Sequence, residues 1–154
     1  MESGTPSGDT AWAMSEENVE IVRKALDAFN AFSRGEMSSE TLAELLDPQL
    51  EWHWRDERTI PDVPQHLRSA AELIESLEQF RGAWIDLAVE PLEFIEAPGD
   101  RVVTLIRQSG RGQGSGVSIV FHYFLVCTIR EGTVRNLGLF RHRAEALEAA
   151  GLRE

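Results

Sequence analysis

Cysteine, basic residues and long apolar runs are all scarce in this chain of 154 residues. Its single cysteine, Cys127, allows no internal disulfide and no cysteine-based zinc motif, a pattern typical of the cytoplasm, where we expect the protein. Fifteen basic against 26 acidic residues give a net charge of -11, so we expect neither nucleic acid nor a membrane surface as a partner. No stretch approaches the roughly 18 apolar residues of a membrane span, and the N-terminus does not resemble a signal peptide.

The length of the chain fits one domain, because a domain of this size buries roughly 70% of the surface that its unfolded chain exposes. Residues 1–13 are small and polar apart from Trp12. We therefore predict a disordered N-terminal extension over residues 1–13 and a single domain over residues 14–154.

Two helices are predicted near the N-terminus from apolar residues at helical spacing. The first begins with Ser15 as its N-cap and ends at Gly35. The second is short, is capped by Ser38 or Ser39, and is stopped by Asp47-Pro48. The pattern indicates that the two helices are antiparallel.

A third helix is predicted from Ser69, whose spacing to Glu72 fits a capping box. The residues of its buried stripe are Leu73, Leu77, Phe80 and Trp84. Between the second and third helices, Arg55 to Arg68 is charged and contains two prolines, which predicts a loop beside a pocket. A short last helix covers residues 144–150 before Gly151.

Alternating or β-branched residues predict five strands, over residues 50–54, 87–97, 101–109, 117–129 and 134–140. The strand over 117–129 is apolar on both faces, so it must be central, with its odd positions towards one layer and its even positions towards another. Pro91 indicates an edge position or a bulge in its strand. Helices in front of a curved, mostly antiparallel sheet predict an α+β cone.

Alternate glycines from Gly110 to Gly116 superficially suggest a phosphate-binding loop. No helix follows them and no Gly-Lys-Ser/Thr sequence closes the motif. We therefore predict a long, twisted hairpin connection.

The order of these features resembles the nuclear-transport-factor-2-like superfamily, and within it the SnoaL-like branch, beside ketosteroid isomerases and limonene epoxide hydrolases. The segments that carry the resemblance are Phe29-Asn30, Gly35, Leu46-Asp-Pro48, Glu51-Trp-His53, Gly99-Asp-Arg-Val-Val103, residues 107–112 and residues 143–152. The resemblance implies a cone-shaped barrel, an apolar pocket between helices and sheet, a homodimer formed through the outer sheet face, and no cofactor.

The resemblance also implies a place for chemistry, because His53 falls where ketosteroid isomerases carry the carboxylate that moves the substrate proton. An imidazole with a pKa near 6.5 suits a general base, and Glu51 on the same strand face would orient it. The positions of that isomerase's two hydrogen-bond donors are occupied by Ala28 and Leu125, which cannot donate. An isomerase of that kind is therefore not expected, and the alternative interpretation of His53 is a half-buried, hydrogen-bonded strand histidine.

Glu51 and His53 would also offer two ligands to a metal ion, but no third ligand is visible nearby in the sequence, so no metal is predicted. Arg107 and Arg141 either turn inward to recognise a carboxylate or a carbonyl, or form ion pairs at the sheet rim. Cys127 is interpreted as a packing residue. The remaining predicted substrate contacts are Phe80, Trp84, Phe121, Tyr123 and Leu125.

Three functions remain open from the sequence. The first is an enzyme that carries out isomerisation, cyclisation, dehydration or epoxide opening on a small apolar molecule, with His53 moving the proton. The second is a non-catalytic dimeric module that binds such a molecule, which the loss of donors at Ala28 and Leu125 favours. The third is a protein-interaction domain that uses the outer sheet face around His122 and Phe124.

Overall fold

The structure of the protein is a computed structural model, and it describes residues 8–54 and 66–152. The elements in chain order are α1 (Gly8–Ser33), α2 (Ser39–Ala43), β1 (Leu46–Trp54), β2 (His66–Leu67), α3 (Ala70–Ala83), β3 (Trp84–Ala97), β4 (Arg101–Gly112), β5 (Ser118–Arg130), β6 (Thr133–Phe140) and α4 (Arg143–Ala149).

The described strands form one six-stranded sheet in the order β2-β1-β6-β5-β4-β3. Only the β1–β6 pair is parallel, and every other neighbouring pair is antiparallel. The long strand β5 lies inside the sheet between β4 and β6, as its two apolar faces predict. The predicted α+β class, with helices packed on a mostly antiparallel sheet, is confirmed.

The two faces of this sheet bury different partners. Its inner face, which we define as the face towards α1, α2 and α3, holds the larger core, with Ile106, Tyr123 and Leu125 packed among residues such as Leu26 and Leu73. Its outer face, the opposite one, is covered at one end by α4. The smaller core there consists of Val103, Val126, Phe140, Ala146, Leu147 and Ala150.

The first helix starts earlier than predicted. It runs continuously from Gly8 through Ser15, because no proline or glycine interrupts residues 9–33. Its end at Gly35 is confirmed, since that glycine adopts a φ of 78° and the Glu36 amide donates to the Ala31 carbonyl. Residues 1–7 of the predicted extension lie outside the described residues, and the division of the chain at residue 13 stays a prediction.

Side chains of α1 and α3 fix the helical layer to the sheet and to itself. Asn30 forms two hydrogen bonds with the backbone of Val89 on β3, one through each atom of its amide group, at 2.9 and 2.8 Å. Arg81 donates to the Phe32 carbonyl at 3.0 Å and lies over the Phe32 ring. The ends of α1 and α3 are thereby held together at one end of the inner face.

The caps of the two shorter inner helices agree with the sequence, whereas two boundaries differ. Ser38 caps α2, and the Ser69 hydroxyl accepts from the Glu72 amide at the start of α3. Asp47-Pro48 belongs to β1 and does not stop α2, which already ends at Ala43. Trp84 is the first residue of β3 because its extended backbone ends α3 one residue earlier.

The turns and the edge strand follow the glycine and proline positions. Pro91 lies on the edge strand β3, beside a register shift between Pro91 and Glu93, so both alternatives predicted from it are found together. The glycine-rich segment closes the β4–β5 hairpin, with the Gly116 amide donating to the Gly112 carbonyl. The hairpin prediction is confirmed.

The loop predicted before α3 differs from the structure at its end. Residues 55–65 lie outside the described residues, and His66–Leu67 pairs with β1 as the short strand β2.

Within residues 8–54 and 66–152, every helix is too short or too polar to span a bilayer.

Candidate ligand-binding site

A cavity of about 390 Å³ lies between the inner face of the sheet and the three helices that cover it. Its volume is in the range of roughly 300–1,000 Å³ that small-molecule sites occupy. The helices contribute mostly aliphatic side chains, among them Val22, Leu26, Phe29, Leu42, Leu73, Leu77 and Phe80. The strands contribute Trp52, Leu67, Val89, Gln108, Phe121, Tyr123, Leu125, Cys127, Leu137 and Leu139, among others.

One buried polar pair stands in this mostly apolar lining, which also includes Ser76 and Gln79 of α3. The Tyr123 hydroxyl donates to Oε1 of Gln108 at 2.9 Å, and both side chains are buried. Tyr123 reaches the cavity from β5 and Gln108 from the neighbouring strand β4. Within the described part of the chain, the NH2 group of Gln108 has no acceptor, so it remains able to donate to a molecule in the cavity.

Both titratable groups of the pocket are held neutral. Burial raises the pKa of the Tyr123 hydroxyl well above its usual value of 10.0, and the nearby Cys127 raises it further. Burial also raises the pKa of the Cys127 thiol, to about 12. Cys127 is therefore a neutral packing residue and no thiolate nucleophile, as the sequence suggested.

The described lining contains no Asp, Glu, His, Lys or Arg side chain. An apolar cavity disfavours charge, because a charged group loses its hydration there. This wall therefore suits an uncharged ligand that carries few polar atoms.

Four of the predicted substrate contacts line the cavity: Phe80, Phe121, Tyr123 and Leu125. Gln108 was not among the predicted contacts. Its signal is the alternation of β4, in which Val102, Ile106 and Gln108 share the inner face. Gln108 is polar, so the apolar pattern of the inner-face positions of β4 does not include it.

Three other predicted contacts lie elsewhere. Trp84, the first residue of β3, does not line the cavity. Its ring packs beside Phe80 and near Gly110 of β4. Arg107 alternates with Gln108 on β4 and so lies on the outer face, with its guanidinium 3.7 Å from the Glu90 carboxylate. Arg141 follows β6 and is exposed outside the lining.

The two predicted catalytic residues lie across β1 from the cavity. Trp52 is the side chain that β1 turns towards the ligand space, so alternation directs Glu51 and His53 to the other side of the strand. There Oε2 of Glu51 lies 3.2 Å from Nε2 of His66 and 3.7 Å from Nε2 of His53. The hydrogen bond with His66 is the main cause that lowers the pKa of Glu51 from its ordinary 4.5. The predicted catalytic role of Glu51 and His53 stays a prediction.

Residues 22–137 match the sequence model of the SnoaL-like domain, which is most of the chain. The chain belongs to the SnoaL-like family. The resemblance described from the sequence is thereby confirmed. No protein with a curated description matches this SnoaL-like chain by sequence.

Solved structures with the same fold share little sequence with this SnoaL-like protein. TerC, crystallised with polyporic acid, superposes with a TM-score of 0.67 at 19% identity, covering 87% of this chain and 97% of TerC. A protein of ketosteroid isomerase-like fold from Catenulispora acidiphila, in complex with trimethylamine, gives 0.61 at 12% identity, covering 83% and 92%. A putative polyketide cyclase from Sinorhizobium meliloti gives 0.56 at 22% identity, covering 78% and 93%. These similarities establish the nuclear-transport-factor-2-like cone.

Proposed function

We propose that this SnoaL-like protein binds a small, uncharged, mostly apolar molecule that carries a carbonyl or hydroxyl oxygen. The observation that supports the proposal is the Tyr123–Gln108 pair, which is the only buried polar pair in the described lining of an apolar cavity of about 390 Å³. Apolar walls supply affinity and a small number of placed polar groups supply orientation in sites of this kind.

The direction of the hydrogen bond assigns a part to each residue. The Tyr123 hydroxyl donates a hydrogen bond to Oε1 of Gln108 and so fixes the orientation of the amide. The NH2 group of Gln108 is then free of Tyr123 and can donate a hydrogen bond to a ligand oxygen. A hydrogen bond of this type contributes about 0.5–1.5 kcal/mol, which is a several-fold preference for a ligand with an acceptor over one without.

Binding has more support than proton-transfer chemistry. A general base must reach the substrate proton and must change its charge near working pH. The two titratable groups in the described lining have raised pKa values, and Glu51 and His53 lie on the opposite side of β1. A cyclase or isomerase reaction remains the alternative proposal, supported by the fold shared with the putative polyketide cyclase.

The test uses two compounds of the same shape, an aromatic ketone and the hydrocarbon in which CH2 replaces its carbonyl. Calorimetric titration of the wild-type chain is expected to give saturable binding of both, with the ketone several-fold tighter. Gln108→Leu is expected to keep the hydrocarbon affinity and to remove the preference for the ketone.

The matched control is Gln113→Leu, the same change at an exposed position of the β4–β5 turn. It should leave both affinities unchanged. Failure of wild-type protein to bind either compound, or a ketone preference that survives Gln108→Leu, would count against the proposed site.

We also propose that the protein is a homodimer formed through the outer face. α4 covers only one end of that face, and towards the other end Val120 is 51% exposed. Size-exclusion chromatography with light scattering is expected to give twice the mass of 17.3 kDa for wild type and the single mass for Val120→Asp. A wild-type monomer at micromolar concentration would exclude this proposal.

A further inference from the structure

Glu51, His53 and His66 form a cluster on the side of β1 that faces away from the cavity. One donor atom from each lies within 4.8 Å of the donor atoms of the other two. We propose that this cluster, which we call the β1–β2 triad, binds a divalent first-row transition metal ion such as Zn²⁺. The proposal is independent of the ligand proposed for the cavity.

The backbone pairing of β1 and β2 assembles the triad. His53 is the direct cross-strand partner of His66, so the two side chains leave the sheet on the same side. Glu51 lies two residues before His53, and alternation puts it on that side as well. Twelve residues lie between His53 and His66, which is why sequence spacing within β1 revealed only two of the three donors.

The distances between donors are close to those of a metal site. A tetrahedral Zn²⁺ ion with bonds of about 2.0–2.2 Å keeps its donor atoms roughly 3.3–3.5 Å apart. Oε2 of Glu51 lies 3.2 Å from Nε2 of His66 and 3.7 Å from Nε2 of His53. Shifts of a few tenths of an ångström therefore suffice for these two edges of the tetrahedron.

The two imidazole rings are stacked, with centroids 4.0 Å apart and planes inclined by 25°. Stacked rings direct their nitrogen lone pairs nearly parallel, so the rings must turn for both lone pairs to meet one ion. The side chains of Glu51 and His66 are 38% and 35% exposed, which leaves room for this turn and for water in the remaining coordination positions.

The chemistry of the donors selects the kind of ion. Two imidazoles and one carboxylate suit Zn²⁺ and Fe²⁺, whereas Mg²⁺ and Ca²⁺ prefer sets made only of oxygen atoms. The positive charge of Arg135 acts on Glu51 and would repel a metal ion at the triad. Its guanidinium is hydrogen-bonded to the Gln49 carbonyl at 2.7 Å, so the described basic side chains within 4 Å of the Glu51 carboxylate are the two histidines.

A metal ion here would join two strands that share two cross-strand pairs within the described residues. β2 consists of two residues, His66 and Leu67, and the next cross-strand pair after His53–His66 is Trp52–Leu67. Trp52 and Leu67 both line the cavity. Binding to the triad would therefore stabilise one part of the pocket wall from outside, without contact between metal and ligand.

Calorimetric titration of the EDTA-treated, full-length protein with ZnCl2 tests the proposal. We expect one Zn²⁺ ion per chain, no saturable heat with MgCl2, and a rise in Tm with Zn²⁺ concentration because the ion binds the folded state. Glu51→Gln, His53→Gln and His66→Gln should each weaken binding by at least about tenfold. Circular dichroism of each metal-free variant shows whether the fold is kept.

The chain has four histidines, and the two outside the triad supply matched controls. His122→Gln and His142→Gln alter exposed histidines elsewhere and should leave the Zn²⁺ affinity unchanged. The proposal is overturned if wild-type protein shows no saturable binding, if folded His66→Gln binds as tightly as wild type, or if the control variants lose as much affinity as the triad variants.

Discussion

The inner and outer faces of the sheet are built from the same strands, yet they differ in charge and in access to water. On β5, Phe121, Tyr123, Leu125 and Cys127 face the cavity, while Val120, His122, Phe124 and Val126 face outward. The described inner wall contains no charged side chain, and its buried polar pair is joined by a single hydrogen bond from Tyr123 to Gln108. The outer face carries ion pairs, such as that of Arg143 with Glu93, beside the patch covered by α4.

This difference follows from water access. A charge on the inner face would lose its hydration with no compensation, whereas an outer-face charge keeps its water and gains little from a partner. We therefore expect substitutions on the inner face to cost several times more free energy of unfolding than matched ones outside.

The largest difference is expected for Leu125→Asp, which puts a carboxyl group into the apolar wall. At pH 7 it should lower the free energy of unfolding by at least about 3 kcal/mol, through the lost packing and the buried charge. Burial should raise the pKa of the new carboxyl above about 3.9, so the folded variant binds its proton more tightly than the unfolded chain. Its deficit relative to wild type should shrink as the pH falls from 7 towards 4.

Urea unfolding at several pH values measures this effect. The control is Ser118→Asp, an exposed position on the same strand, which should stay within about 0.5 kcal/mol of wild type at pH 7. Equal costs for the two variants would contradict the assignment of the faces of β5.

A smaller effect is expected for Tyr123→Phe, which removes one hydroxyl from the same wall. The variant leaves Oε1 of Gln108 buried without its donor and should cost about 1–3 kcal/mol. Adding Gln108→Leu removes the orphaned acceptor, so the double variant should be more stable than the sum of the two single changes predicts. Denaturant unfolding of all four proteins measures the coupling, and strict additivity would show that the pair is not energetically linked.

The helices on the two faces offer a third comparison. Ser69 caps α3 on the inner side through its hydroxyl, whereas His142 at the start of α4 makes no side-chain capping bond. Ser69→Ala should therefore cost about 1 kcal/mol, and His142→Ala should change stability by less than about 0.5 kcal/mol. Thermal unfolding of both variants checks this, and a stable Ser69→Ala protein would mean that the cap contributes nothing.

The smallest effect is expected for the ion pair between Arg143 and Glu93, which links α4 to β3. The hydrogen bond from Arg143 lowers the pKa of Glu93 below 4.5, so its contribution is present above that pH and is lost as the pH falls through the lowered value. Both side chains are about two-fifths exposed, so solvent screening should limit the cost of Glu93→Gln at pH 7 to about 0.5 kcal/mol. The cost measured by unfolding should be smaller at pH 3 than at pH 7, and a cost that does not change with pH would point to packing.

Local patterns predicted most of the fold because they act over a few residues. The alternation of β5 identified both its central place and its cavity-lining positions, and Ser69 and Pro91 marked a helix start and an edge strand. Arg107 shows where alternation fails: Val102 and Val103 are both buried, so apolarity does not say which face of β4 borders the cavity.

The candidate sites were less predictable because they depend on contacts between distant segments. The alternation of β1 correctly separated Trp52 from Glu51 and His53, but only the packed structure shows that Trp52 is the residue at the cavity. His66 was interpreted as a loop residue, since its pairing with His53 is absent from any local pattern. Gln108 became recognisable as a site residue only through its bond to Tyr123.

The two ends of the described sheet have a consequence for solubility. An open strand edge can recruit another chain through its unpaired amide and carbonyl groups and so start fibrils. One edge, β3, contains a proline that lacks an amide hydrogen and a bulge that interrupts the register, and the other, β2, is two residues long. Neither edge offers the long, flat template that amyloid growth requires. We therefore expect another chain to associate with a face of the sheet and not with one of these edges.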